Sequence, residues 1–286
     1  LVDVDAQNAA APIVICDDVS FIYPGGEGIP ALDGISLEIA EGELMAIAGL
    51  NGSGKSTLCR LLNALLLPAR GKVISCGLDT ALPENLFEIR RQVGLIMQNP
   101  DNQIVGPTVE EDVAFGPENL ALRRDEIHAR VEEALEAMHL TALREREPHL
   151  LSLGEKKRLA AAGAMALRPR VLVSDESTSM LDAPTRAETI SLFKRLRDEQ
   201  GITVIHATHR PEEILAADRV ALLGSGRLLF EGSPHALFEK VELSEAHGLR
   251  PTALYHLVRE LEQRGCRLPG TALEAKEVAE GLWALR

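Results

Sequence analysis

The chain is poor in aromatic residues: one Trp, two Tyr and six Phe make up 3% of its 286 residues. Platforms that stack single-stranded nucleic acid need exposed rings in series, and so sparse a supply argues against that ligand. An excess of positive charge is also lacking. Lys and Arg number 30 against 43 Asp and Glu, a formal net charge of −13. No basic stripe is left over to neutralise nucleic-acid phosphates. The four cysteines, Cys16, Cys59, Cys76 and Cys266, are scattered and include no C-x-x-C pair. That spacing supports neither a disulfide framework nor a structural zinc site, and it fits a reducing compartment. No apolar stretch approaches the ~18–20 residues that a membrane-spanning helix requires. Residues 1–7 are acidic, with no basic start leading into an apolar run, and do not read as a secretion signal. The hydrophobic content of 45% is ample for one large domain with a small appendage.

What the sequence does contain is Gly-Leu-Asn-Gly-Ser-Gly-Lys-Ser-Thr at residues 49–57, a match to the phosphate-binding pattern G-x-x-x-x-G-K-[ST]. Glycines let the backbone curl so that the amides of Asn51, Gly52, Ser53, Gly54 and Thr57 can point at phosphate oxygens. Lys55 adds a positive charge for the β- and γ-phosphates, and Ser56 offers a hydroxyl to Mg²⁺. The apolar run 44–48 predicts a buried strand before the loop, and 56–66 predicts a helix after it. A second acidic constellation follows another apolar strand, at 171–176. Asp175 closes that strand and is suited to hold Mg²⁺ beside Ser56; Glu176 is suited to polarise an attacking water.

Between these motifs the pattern alternates. Strands are expected at 13–22, 35–39, 71–77, 93–97, 171–173, 202–205 and 219–223, with a helix at 84–92. Residues 110–168 carry helical signal, including an amphipathic stretch at 124–138. Strands alternating with helices imply a mainly parallel sheet covered on both faces, an α/β fold. The expected organisation is a lead-in at 1–12, a main domain at 13–240 and a small mainly helical C-terminal domain at 241–286, with helices at 252–261 and within 272–284.

The run Leu151-Ser152-Leu153-Gly154-Glu155-Lys156-Lys157-Arg158 resembles the signature of ABC-type ATPases, usually L-S-G-G-Q. With Tyr23, Gln98, Asp182 and His209 it presents that family's motif set in order over about residues 13–240. The resemblance implies a P-loop ATPase domain built of a parallel core sheet, an antiparallel β subdomain and an inserted helical subdomain. It implies two such domains sandwiching two ATP molecules head to tail. Lys55, Ser56, Asp175, Glu176, Gln98 and His209 would act from one side of each ATP, with Gln98 also near Mg²⁺. Ser152 and Gly154, at a helix N-terminus of the second subunit, would close the phosphate cradle from the other. Tyr23 would lie against the adenine, and Asp182 would contribute from the turn after the acidic pair. His209 would sense the γ-phosphate, and Gln98 would link it to a membrane partner.

The departures from the family pattern are Leu153 for glycine, Glu155 for glutamine, Ser177 for proline, Ser174 within an apolar strand and Arg210 for an acidic residue. Leu153 cannot adopt glycine's extra conformations cheaply, which would alter the contact made across the dimer. No catalytic group is lost, so an active ATPase is expected.

Residues 98–103 and 108–119, with the extension 261–269, resemble the ATPases of energy-coupling factor (ECF) transporters. Members of that group import vitamins or transition-metal ions. The implied partners are a second ATPase, either a copy or a homologue, a transmembrane coupling subunit docked near 98–119 and a substrate-binding membrane subunit. The implied location is the cytoplasmic face of the membrane. Another ABC transporter subgroup is a rival reading. So is a soluble ABC ATPase of DNA repair or translation, which the single P-loop, the acidity and the want of a long heptad array oppose. A regulatory module without turnover is the third, opposed by Glu176.

Overall fold

Strand composition divides the structure, a computed structural model describing residues 12–25, 28–265, 278 and 283, into two sheets. β1 (Pro12–Phe21) and β2 (Leu32–Ala40) alternate apolar and polar residues, so each buries one face. β3 (Leu44–Ala48) is apolar throughout and buried throughout. α1 (Lys55–Leu62) follows the phosphate-loop sequence, and β4 (Arg70–Ser75) and β5 (Leu78–Asp79) return to β1. The first sheet, β2-β1-β4-β5, is antiparallel.

A 3₁₀ turn at Pro83–Asn85 leads into α2 (Leu86–Gln92) and then β6 (Val93–Ile96). Three helices follow: α3 (Val109–Asn119), α4 (Arg124–Ala137) and α5 (Leu153–Ala166). They are the helical insertion expected at 110–168. The core resumes with β7 (Val171–Asp175), α6 (Ala183–Gln200), β8 (Thr203–Thr208), α7 (Pro211–Leu215), β9 (Arg219–Gly224) and β10 (Arg227–Gly232). α8 (Pro234–Glu239), α9 (Val241–Ala246) and α10 (Ala253–Gln263) complete the described elements.

The second sheet runs β10-β9-β3-β8-β7-β6, parallel except for the β9–β10 hairpin. Successive strand residues serve opposite faces. Met45 and Ile47 of β3 join Val173, Ile205 and Leu223 against α1 and the antiparallel sheet. Leu172 and Val204 face the other way, into a cluster with Val113, Leu135, Leu159 and Phe193 of the helices. Ala46, Ala48 and Leu222 pack with Phe238, Leu249 and Tyr255, so the chain beyond residue 240 begins by covering the core sheet. The lead-in before residue 12, and the expected helices within 272–284 apart from residues 278 and 283, lie outside the described residues.

One boundary is corrected. The apolar run suggested a helix to Leu66, but α1 ends at Leu62. Ala64 is left-handed at φ 55°, and the amides of Leu65 and Leu66 both return to the Arg60 carbonyl. The Asn63 side chain is spent on the Val93 carbonyl, tying the helix end to β6.

Candidate active site

The loop between β3 and α1 is shaped by backbone that only glycine adopts without strain. Gly49 has φ 148° and Gly54 φ 107°. A Cβ on Gly49 would lie 2.4 Å from the Leu223 carbonyl oxygen, and one on Gly54 would lie 2.8 Å from that of Ala31. The loop is therefore pressed between β9 and the chain entering β2, with Gly226 donating its amide to the Ser53 carbonyl. Asn51 and Gly52 are exposed at its tip. The buried Ser53 hydroxyl has no partner, which suits an acceptor-rich ligand at this loop.

The Lys55 ammonium, 4% exposed, donates to the carbonyls of Gly49 (2.8 Å) and Leu50 (3.0 Å) and pairs with Glu176 Oε1 at 3.0 Å. All three of its protons are engaged. Ser56 donates its hydroxyl to Asp175 Oδ1 at 2.7 Å. Burial raises the Asp175 carboxyl above its ordinary range, against the bond from Ser56. A buried carboxylate beside a hydroxyl at a phosphate loop is a donor set suited to a hard divalent cation, and Mg²⁺ fits these residues.

Glu176 is the hub. Its Oε2 accepts from Gln98 Nε2 at 3.1 Å, and His209 Nδ1 lies 3.9 Å from its Oε1. Two segments far apart in sequence, at Gln98 and at His209, thus converge with the phosphate loop on one carboxylate. Glu176 itself is left-handed at φ 48°. For a residue with a Cβ this costs about 1 kcal/mol or more, a strain that persists only where the surroundings impose it. Tyr23 bonds Thr57 through its hydroxyl at 3.1 Å and packs edge-on against Phe21, leaving the ring 38% exposed beside the first turn of α1.

Ser152, Gly154 and Asp182 stand apart from this cluster. Ser152 caps α5, and with Glu155 it forms a reciprocal capping box: the Glu155 amide donates to the Ser152 hydroxyl at 3.3 Å, while the Ser152 amide (2.7 Å) and hydroxyl (2.8 Å) donate to Glu155 Oε2. Those bonds hold the Glu155 carboxyl below its ordinary range. Leu153 is the first helical residue and is absent from the positive-φ positions. The backbone at Leu153 is ordinary helix and has no need of glycine's conformations. Asp182 caps α6, accepting from the Thr185 amide at 2.8 Å.

Several buried polar residues beside the site had no role assigned from the sequence. Buried Lys157 on α5 donates to the carbonyl of Ser179 and lies 3.1 Å from its hydroxyl, tying the signature helix to the turn after Glu176. Burial brings its ammonium down to about 8, against the pull of the Glu176 and Glu213 charges. The buried His206 bonds Ser174 and Glu213. Lys157 lies within the signature run, and the sequence signal for Ser174 and His206 was polarity inside otherwise apolar strands.

Residues 97–106 run from Gln98 to a groove. Gln103 accepts from the Met97 amide and donates to the Ala160 carbonyl, both at 3.0 Å. Asp112 Oδ1 accepts the amides of Val105 and Gly106, each at 2.7 Å. Burial raises the Asp112 carboxyl, and those two bonds oppose the shift. The groove, about 810 Å³, is walled by Leu86, Phe87, Leu95, Val105, Phe115 and Leu120. Phe87, Val105 and Phe115 are 64%, 61% and 51% exposed. The α2 side of this wall had no sequence signal. Among the described residues no helix is long and apolar enough to cross a membrane.

Residues 32–179 match the family described as ABC transporter. The chain is 47% identical over 280 residues to the energy-coupling factor transporter ATP-binding protein EcfA1 of Symbiobacterium thermophilum, covering 96% of this chain and 98% of that one. It is 43% identical over 274 residues to the protein of that name from Clostridioides difficile, covering 96% and 99%. Among solved structures it resembles cbiO1 of Clostridium perfringens, described as part of the ABC transporter complex cbiONQ, with TM-score 0.72, 35% identity and coverage of 87% and 99%. It also resembles the dimeric ATP-binding cassette MJ0796 bound to ADP and Pi, with TM-score 0.72, 31% identity and coverage of 77% and 98%.

Proposed function

Because the chain belongs to the ABC transporter family, as an ATP-binding subunit of the energy-coupling factor type whose ATPase activity is coupled to transport, we propose that it hydrolyses ATP at a head-to-tail interface with a second ATPase and drives uptake of a micronutrient, a vitamin or transition-metal ion. The convergence of Lys55, Gln98 and His209 on Glu176 carries this reading.

Lys55 and the loop amides bind the β- and γ-phosphates, and the exposed face of Tyr23 receives the adenine. Ser56, Asp175 and Gln98 would hold Mg²⁺, which would supply neutralisation of phosphate charge. Glu176 accepts a proton from the attacking water, Gln98 and His209 hold that carboxylate and the γ-phosphate in register, and the rest is positioning. The Ser152 hydrogen bonds go to Glu155 and not to the Lys55–Glu176 cluster of its own chain, which supports use of Ser152 and Gly154 in trans, where the N-terminus of α5 would face the partner's ATP. Asp182 acts from the same surface, as the cap that sets the turn before α6.

Glu155 adds a negative charge at that N-terminus, and the incoming γ-phosphate would meet it. Glu155→Gln preserves the capping box and removes the charge. It is expected to strengthen ATP-dependent dimerisation several-fold at low salt, with the gain shrinking as salt is raised; analytical ultracentrifugation with Mg-ATP measures it. An unchanged dimer constant would mean that the charge lies away from the phosphate.

The groove is the docking surface for a cytosolic helix of the transmembrane subunit, and the pinned segment 97–106 connects it to Gln98. The peripheral location at the membrane follows from that contact. Phe87→Asp and Phe115→Asp should each weaken co-purification with the membrane subunits by about thirtyfold, as expected for a central aromatic anchor, while nucleotide binding stays unchanged. Recovery of the wild-type chain from solubilised membranes with no membrane partner would refute the transport reading and favour a soluble ATPase.

A further inference from the structure

Glu176 and His209 leave the ends of neighbouring strands, and neither lies within a regular element. Each is bracketed by buried polar side chains that bond one another. Ser174 Oγ lies 2.6 Å from Ser177 Oγ and 3.0 Å from His206 Nδ1. His206 Nε2 lies 2.9 Å from Glu213 Oε2, and the same oxygen accepts the Thr208 hydroxyl. Thr208 Oγ1 accepts the Arg210 amide at 3.1 Å, and the buried Thr178 hydroxyl helps to hold the Glu213 carboxyl down. Ser174, Thr178, His206, Thr208 and Glu213 are 0–3% exposed.

The network therefore grips the chain before Glu176 (at 174), after it (at 177 and 178), before His209 (at 206 and 208) and after it (at 210). Burial alone would raise the Glu213 carboxyl, but the bond and charge of His206 and the hydroxyls of Thr208 and Thr178 outweigh it and hold it at about 2. The carboxylate thus stays ionised at the centre of the network. Apolar residues would fill these strand positions without the desolvation cost that polar groups carry. What the bonds on Glu213 Oε2 add is a defined arrangement of the two strand ends, while Glu213 Oε1 accepts no hydrogen bond and faces the Arg186 and Arg210 guanidinium groups at 3.8 and 4.0 Å. The left-handed Glu176 is where such definition is needed.

We propose that His206 and Glu213 are positioning residues for ATP hydrolysis: through Ser174, Ser177, Thr178 and Thr208 they fix the two strand ends that aim Glu176 and His209 at the γ-phosphate. This rests on the reading of Glu176 and His209 as the groups that act on ATP. The dyad is buried, His206 2% and Glu213 3% exposed, and acts by geometry. A misplacement of about 1 Å at the reacting groups is enough to cost about a hundredfold in rate.

The test uses the full chain co-purified with its membrane partners, in four forms: His206→Phe, Glu213→Leu, the double variant and Glu176→Gln. Steady-state hydrolysis gives kcat and KM, a fluorescent non-hydrolysable ATP analogue gives Kd, and thermal unfolding gives stability. Each single variant is expected to lower kcat by about tenfold to a hundredfold, with KM and Kd within about threefold of the parent because the phosphate loop is untouched. The double variant replaces both partners by apolar groups and is expected to recover thermal stability. Its kcat is expected to remain low. Recovery of kcat together with stability, in the double variant alone or alongside single variants that fail to fold, would reduce the dyad to a packing role and overturn the proposal. Loss of turnover in Glu176→Gln with normal kcat in the dyad variants would overturn this proposal alone. Turnover surviving in Glu176→Gln would overturn the assignment of Glu176, and this inference with it.

Discussion

Glu176→Gln is expected to stop turnover while strengthening nucleotide binding. The amide keeps the size of the side chain, and its one oxygen can still accept from Lys55; its NH2 then faces Gln98, whose own amide must turn to present its oxygen. It cannot take a proton from water, and a positioned general base contributes about a hundredfold to ten-thousandfold. The gain in affinity has a separate cause. In the structure the Lys55 ammonium is saturated by the carbonyls of Gly49 and Leu50 and by the Glu176 carboxylate. Phosphate must compete with that carboxylate for the cation, and removing its charge removes the competitor. Single-turnover kinetics and size-exclusion chromatography with Mg-ATP read the two effects: slow hydrolysis, and a dimer that persists with ATP bound. Turnover within tenfold of the parent would place the base elsewhere.

Lys55→Ala is expected to raise the ATP dissociation constant by about a hundredfold or more, because it removes the cation that meets the phosphates in a desolvated setting. Its second effect falls on the protein without ligand. Glu176 is 9% exposed on its side chain, and losing Lys55 leaves its charge unpaired in that site. Breaking such a pair from one side costs about 3 kcal/mol or more. The variant should therefore unfold at lower denaturant as well as bind weakly. Lys55→Ala combined with Glu176→Gln should recover much of the stability and none of the binding. Chemical denaturation with isothermal titration calorimetry separates these outcomes. Equal stability of Lys55→Ala and the parent would mean that the Lys55–Glu176 pair contributes nothing to folding.

Much of the site could be read from residue order. The phosphate loop lies between an apolar strand and a helix in the sequence, and the structure puts β3 and α1 there. Asp175 ends an apolar strand, and β7 ends at Asp175. Other conclusions failed to carry through for local reasons. α1 stops short of its apolar run because Ala64 turns left-handed and Asn63 engages β6, a contact across 30 residues that no helical period encodes. Leu153 looked costly against a glycine pattern, yet its position is the ordinary first residue of a capped helix. The α2 wall of the groove was invisible because Phe87 and Phe115 meet only after α3 folds against the core.

The sequence by itself determined the chemistry available to this protein: a phosphate loop, two carboxylates after an apolar strand, a signature segment, and strands whose unbroken apolar character demands a sheet buried on both faces. Those properties are local, since they depend on residue type and on spacing of a few positions. Only the tertiary structure decided which groups meet. Gln98 and Glu176 are 78 residues apart and share a hydrogen bond. His206 and Glu213 become partners because α7 folds back over the end of β8. Parallel strands place their C-terminal ends on one edge of the sheet, and that edge gathers carboxylate, amide, imidazole and ammonium into one site. No local pattern specifies such a gathering, because each contact depends on where the rest of the chain has already packed.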